Sequence, residues 1–384
     1  MIKLAELLSE IDWEKDYQDT KKQCIPLEVV RDMLQKQLDW SNLTAKEKKA
    51  HPEMDVRKRN VNIPIITPKN IPTTDKGIDV DHFIKQITAK PDTIFEKNPK
   101  MERSDKGGYQ YTVNTGVPAL RGIVYSEKEK KFYIINTCPG AGSCIRDCFA
   151  REGQYMMNKG KNLKYIQRLN LLLNNPKEYE ELIMDELDPE AYKIKRQSNK
   201  EGTDIKLVIR WNDAGDFFSK RYFDVALSVT NRLLKEGYNI ESYAYTKVGD
   251  IANIADPNFL MTFSTDATKR EKEKVDLSKI KSSPIVPKSV YKNYLIPKGS
   301  HWELDNSTGK PLFRDADGRE KLRAKIWSTY HKEYGIDYDS IVYTDELPSK
   351  QGEKFQYNVI VMPQGDSDVA PQRKDVKVTF NLEH

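Results

Sequence analysis

Three of the four cysteines, Cys138, Cys144 and Cys148, fall in one short segment, TCPGAGSCIRDCFA. Thiolates grouped in this way select soft metal centres, either zinc or an iron–sulfur cluster. The segment follows the apolar run FYIIN, which puts Cys138 at the C-terminal end of a strand, where α/β folds place ligand sites. Gly140, Ala141, Gly142 and Ser143 let the backbone turn tightly and approach a bound group. A helix starting near Ser143 would present Cys144 and Cys148, four residues apart, on one face. Three sulfurs leave a fourth position for a remote ligand or a substrate. A zinc knuckle and a set of inert thiols are the competing readings. Cys24 stands alone and is expected to be a small, semi-buried residue without chemistry.

The second segment is RWNDAGDFFS, from Arg210 to Ser219. Asp213 and Asp216 flank Gly215 and could hold an ammonium, a ribose or a metal-bound water; the alternative is a helix N-cap. Two further strands end in polar residues, at Tyr245-Thr246-Lys247 and at Ser264-Thr265-Asp266. Lys247 suits a carboxylate or a phosphate. Four successive strands with polar ends suggest a barrel or partial barrel with its site at one rim. Gly365–Asp368 is an acidic turn that could take a cation, and His301 is a candidate fourth metal ligand. There is no P-loop and no Rossmann glycine fingerprint.

The elements that must carry these residues follow from periodicity. Residues 1–115 read as an N-terminal extension, helical over 1–60, with a Pro-rich strap over Ile63–Thr74 and loop from Lys97 to Thr115. Residues 116–384 read as an α/β core with an insert near 298–335. Within it, Leu120–Tyr125 and Lys131–Asn136 form a hairpin, and helices run over about Ile145–Asn174 and Lys177–Leu187. Strands at Ile205–Trp211, Ile240–Thr246 and Phe259–Ser264 alternate with helices, which predicts a largely parallel sheet. Arg319–Tyr334 is a helix, and Ile341–Tyr343 and Asn358–Met362 are strands. The 384 residues carry a formal charge of +5 with 32% charged residues, a balance that permits an anionic partner without requiring one. No apolar stretch approaches the roughly 20 residues that span a bilayer, so a cytoplasmic protein without a membrane partner is expected.

The ordered set CPGAGSCIRDCFA, RWNDAGDFFS, YAYTK and FLMTFST resembles the phage gene product 88 family over roughly residues 115–270, and more distantly the radical SAM enzymes. The resemblance implies a partial (β/α) barrel. It also implies a 4Fe-4S cluster held by Cys138, Cys144 and Cys148, and S-adenosylmethionine (SAM) met by Gly215 and Asp216. Phe149, Tyr245 and Ser264 join the implied cofactor contacts, with Asp213, Asp216 and Lys247 as the catalytic set. The spacing here is C-x5-C-x3-C where radical SAM enzymes carry C-x3-C-x2-C, and the aromatic residue follows the third cysteine instead of preceding it. Similar proteins are also labelled rolling-circle replication-associated. Tyr243 and Lys247 match that nucleophile spacing, but the paired histidines are missing. The expected function is an iron–sulfur enzyme acting on a nucleobase, nucleotide or nucleic acid. The alternatives are a zinc-containing barrel enzyme and a nucleic-acid-binding protein using Lys159, Lys161, Lys164 and Arg168.

Overall fold

The computed structural model describes residues 19–51, 73–74, 77–97, 110–145, 148, 150, 159–298, 301–303, 305, 312–348, 352, 354–361 and 372–382. The chain forms two compact units, each discontinuous in sequence. The first joins Met1–Glu96, Asn114–Arg196 and Trp211–Tyr238; the second joins Lys97–Val113, Gln197–Arg210 and Asn239–His384.

In the first unit, β1 (Lys22–Ile25) leads into α1 (Leu27–Asn42), and α2 spans Val80–Thr88. Helix α1 buries Val30, Leu34, Gln37 and Leu38, the i, i+4, i+7, i+8 stripe of an amphipathic helix. Residues 1–60 were expected to be helical, yet Lys22–Ile25 is a strand. Antiparallel pairing with the Phe132–Ile135 stretch overrides its weak local preference. The strands Arg121–Ser126 and Lys131–Asn136 form the expected hairpin, so this sheet is antiparallel throughout. Phe83, Ile87, Ile123, Phe132 and Ile166 pack with the α1 stripe as its core.

Among the further elements, in chain order, are β2 (Gln110–Asn114), β3 (Arg121–Ser126), β4 (Lys131–Asn136), α3 (Lys159–Asn174), α4 (Pro176–Glu201), β5 (Lys206–Trp211) and α5 (Lys220–Lys235). They continue with β6 (Ile240–Thr246), β7 (Phe259–Ser264), β8 (Ser282–Ser283), β9 (Ile285–Val286), α6 (Gly318–Tyr334), β10 (Ile341–Tyr343), β11 (Tyr357–Val361) and β12 (Val376–Leu382). Strand β2 lies where a loop was expected. Its YTVN core is β-prone, but the polar, glycine-containing lead hides it. Of the helix expected over about Ile145–Asn174, Lys159–Asn174 is α3 and Ser143–Ile145 is a 3₁₀ turn, while 146–147, 149 and 151–158 lie outside the described residues. Helix α4 runs past its expected end through Pro189. That proline is exposed, while Ala191 and Ile194 continue the buried stripe beyond it.

The second unit carries a nine-stranded sheet in the order β10-β11-β12-β8-β7-β6-β5-β2, with β9 also on β12. The pairs β6/β7, β7/β8, β8/β12, β11/β12 and β10/β11 are all parallel, which bears out the α/β reading. Strand β4 is not in this sheet. The expectation of four successive strand ends on one rim is therefore corrected: β5, β6 and β7 are neighbours, while the strand before Cys138 belongs to the hairpin sheet. Hairpin strands joined by the short turn SEKEK pair with each other first, since a parallel neighbour needs a longer crossover. The insert forms a short antiparallel ladder, with residues 297–298 against 301–302. Among the described residues no helix is long and apolar enough to cross a membrane.

Buried ionisable groups set a pH dependence for this fold. Loss of water around Lys281 pushes its ammonium down to about 7. An unfolded lysine keeps its proton to about 10.4, so between these limits the unfolded chain binds more protons and stability rises with pH. Burial pushes the Tyr179 phenol up to about 12 and that of Tyr222 well above its ordinary value. Above about pH 10 the unfolded chain therefore loses protons that the folded one retains, and stability falls. The urea midpoint should be higher at about pH 9 than at pH 7 and should drop beyond about pH 10. A midpoint that falls steadily from pH 7 to 9 would contradict this assignment.

Candidate functional site

The cysteine loop leaves β4 at Asn136, whose Oδ1 accepts the Cys138 amide at 3.1 Å. Residues 115–120 lie against its start. Thr137 donates its hydroxyl to the Pro118 carbonyl and its amide to the Leu120 carbonyl. In return, the Leu120 amide points at the Cys138 sulfur, 3.2 Å away. Leu120 adopts φ 62°, a left-handed conformation that costs a non-glycine residue roughly 1–2 kcal/mol. That conformation accompanies the aiming of an N–H at sulfur. Cys144 lies in the 3₁₀ turn and Cys148 outside it, so one helix face does not present both. Cys148 packs against Ala119, Ala150, Tyr165 and Ala214. Cys24 is exposed on β1 and not semi-buried, because it lies on an edge strand.

The opposite side of the 115–120 segment meets the acid loop. The Asp213 amide donates to the Thr115 carbonyl at 2.9 Å, and the Val117 amide to the Ala214 carbonyl at 3.1 Å. Gly116 permits this approach, since a Cβ there would lie 2.4 Å from Asp213 Oδ1. The cysteine loop and the acid loop thus share one backbone segment in the first unit.

Asp213 is 3% exposed and its carboxylate is well partnered. Asn114 donates to Oδ2 at 2.7 Å, Tyr165 hydroxyl lies 3.0 Å from both oxygens, and Lys161 is 3.8 Å away. Glu96 draws Lys161 and Arg168 into the same network, at 3.4 and 3.2 Å. Asp213 is therefore no helix cap. Ser219 caps α5, accepting from the Tyr222 amide at 3.2 Å. Asp216 is 4% exposed and accepts from the Phe217 amide at 2.7 Å.

Gly215 sits at φ 76°, and a Cβ there would lie 2.4 Å from Val117 Cγ2 and 3.0 Å from its carbonyl oxygen. Backbone conformation and close contact both oppose a side chain. Gly215→Ala should lower stability by about 2–4 kcal/mol in urea unfolding; a loss below about 0.5 kcal/mol would mean that this turn tolerates a side chain.

The remaining residues singled out from sequence are partly described. Lys247 pairs with Asp266 at 3.3 Å, and Ser264 donates to the same carboxylate oxygen at 3.0 Å. Arg210 lies 5.9 Å from the Tyr245 ring centroid. Phe149, the Gly365–Asp368 turn and the side chains of His301 and Lys159 lie outside the described residues. The proposed basic surface on α3 is corrected. Arg168 is fully buried against Glu96, Lys161 reaches Glu96 and Asp213, and Lys164 donates to Thr93. Arg168 and Lys161 therefore neutralise internal acids, while Lys164 is half-buried against the Thr93 hydroxyl. Sequence reading missed Asn114, Glu96 and Tyr165, which are distant in the chain and carry no motif.

The chemistry of three thiols in one loop suits a soft metal, but their placement does not assemble one. Among the described residues, no three His, Cys, Asp or Glu side chains are positioned to share an ion, and all four cysteines are free thiols.

No curated protein and no solved structure matches the chain. The family model described as gene product 88 matches residues 93–324, a span that includes the cysteine loop, the acid loop and both following strand ends. The chain belongs to the gene product 88 family.

Proposed function

We propose that this chain is a metalloenzyme whose cysteine loop takes up a soft metal centre, an iron–sulfur cluster before zinc, and acts on a nucleotide or nucleic-acid substrate. The observation that carries this reading is the Leu120 amide directed at Cys138 Sγ from a left-handed backbone. Backbone N–H groups directed at sulfur tune iron–sulfur centres. As placed, the thiols form no ready-made ligand set among the described residues, so uptake requires the three sulfurs to converge. A 4Fe-4S cluster with SAM would supply a radical by reductive cleavage, and the parallel strands β5–β8 would be part of a (β/α) partial barrel.

The chain's own groups have definable tasks. Asp213 fixes the acid loop against residues 115–117 and, saturated by its donors, positions rather than exchanges protons. Gly215 lets Val117 pack directly against the backbone of the acid loop, and Asp216 is the carboxylate for a ligand ammonium, at the cost of its bond to the Phe217 amide. Zinc suits the thiols equally well, but a hydrolytic role for Asp213 is disfavoured by its lack of open acceptor sites. Anaerobic reconstitution with iron and sulfide, followed by absorbance and SAM turnover, tests the reading. A broad band near about 400 nm is expected. A colourless protein with one zinc per chain would replace the cluster by zinc.

A further inference from the structure

The antiparallel sheet of the first unit carries a partly enclosed cavity of ≈ 750 Å³ at its hairpin end. Small-molecule sites commonly measure roughly 300–1,000 Å³ and are mostly apolar, with a few polar groups that orient the ligand. Cross-strand register sets Ile25 beside Phe132 and Phe132 beside Tyr125, and the two rings lie 5.0 Å apart between centroids. This row lines one side. Helix α2 adds Val80 and Ile84, which are four residues apart and so share a helix face. Pro26 and Leu27, where β1 passes into α1, extend the apolar lining. Leu27 is 44% exposed, so the apolar lining continues onto the surface, as it does at ligand-binding grooves.

Apart from the Cys24 thiol and the Tyr125 hydroxyl, the polar side chains of the lining are charged. Arg31, Lys130 and Lys131 are exposed and form no ion pair among the described residues. The hairpin turn fixes the two lysines, with the Lys130 amide donating to the Ser126 carbonyl at 2.8 Å. The lining holds two acids, Asp79 and Asp81, and Asp79 is engaged as the cap of α2, accepting the His82 amide at 2.9 Å. Cations therefore outnumber carboxylates three to two. No Ser, Thr, Asn or Gln lines the cavity among the described residues, so a nucleobase or a sugar would leave its polar edges unsatisfied there. An aliphatic chain with one anionic end meets both the walls and the cations.

We propose that this cavity binds a free fatty acid, with its hydrocarbon chain against Ile25, Val80, Ile84 and Phe132 and its carboxylate at Arg31, Lys130 and Lys131. The assignment does not depend on metal uptake by the cysteine loop, and either can fail alone.

The test is calorimetric titration of the full chain with laurate, octanoate and dodecylamine, each below its micellar concentration. The proteins are wild type, Leu27→Asp and the double variant Lys130→Glu, Lys131→Glu. Laurate should bind at least about tenfold more tightly than octanoate, because each further buried methylene adds affinity. Dodecylamine, with the same chain and the opposite charge, should bind at least about tenfold more weakly than laurate. Both variants should weaken laurate about tenfold. The double variant should keep the thermal midpoint of wild type, since both lysines are exposed and without an ion pair. No heat with laurate, equal affinity for laurate and dodecylamine, or unchanged affinity in both variants would overturn the proposal. A dimer that Leu27→Asp dissociates, with no laurate bound by wild type, would assign this face to a second copy of the chain and would equally overturn it.

Discussion

Asp213→Ala should destabilise the fold by about 3–5 kcal/mol, because it removes the common acceptor of a buried network. Asn114, Tyr165 and Lys161 all converge on this carboxylate, and its side chain is 2% exposed. Without it, two neutral donors lose their partner in a region with little water, and each such loss costs roughly 1–3 kcal/mol. Lys161 keeps Glu96 at 3.4 Å, which holds the total below that of a fully stranded buried cation. Asp213→Asn retains the shape and one acceptor oxygen and should cost about half as much. Urea unfolding of both variants checks the order. Equal losses, or a loss under about 1 kcal/mol for Asp213→Ala, would mean that the network contributes little.

The second large effect concerns Cys138. Replacing it with alanine should reduce metal uptake to near zero, whereas Cys24→Ala should take up as much as the unaltered chain. Cys138 is the cysteine whose sulfur receives the Leu120 amide, and the small-residue turn begins immediately after it. Cys24 lies exposed on β1, paired in register with Tyr133. Cys138→Ala should also free Leu120 from one reason for its left-handed conformation, so the apo-protein should lose only modest stability, about 1 kcal/mol. A variant that binds metal normally would remove this residue from the ligand set.

Much of this organisation is legible in the sequence because it depends on local signals. IKLVIRW, the alternating strands after it and the amphipathic helix α5 specify a parallel α/β sheet through period and length alone. The hairpin of β3 and β4 is equally local. What sequence reading placed wrongly depends on partners far along the chain. Lys22–Ile25 becomes a strand only because β4 offers an edge, and Arg168 is internal only because Glu96 and the Thr93 carbonyl meet it. The Asp213 site shows the same division. Its loop was visible as two acids around a glycine. The donors that define its chemistry, Asn114 and Tyr165, lie 99 and 48 residues away and leave no mark on the local pattern.

The most direct measurement is iron, sulfide and zinc content of the anaerobically purified full chain beside the Cys138→Ser, Cys144→Ser double variant. The account predicts near-stoichiometric soft metal on the unaltered chain and its loss from the double variant. Equal metal content in the two proteins, or none in either after reconstitution, would contradict it.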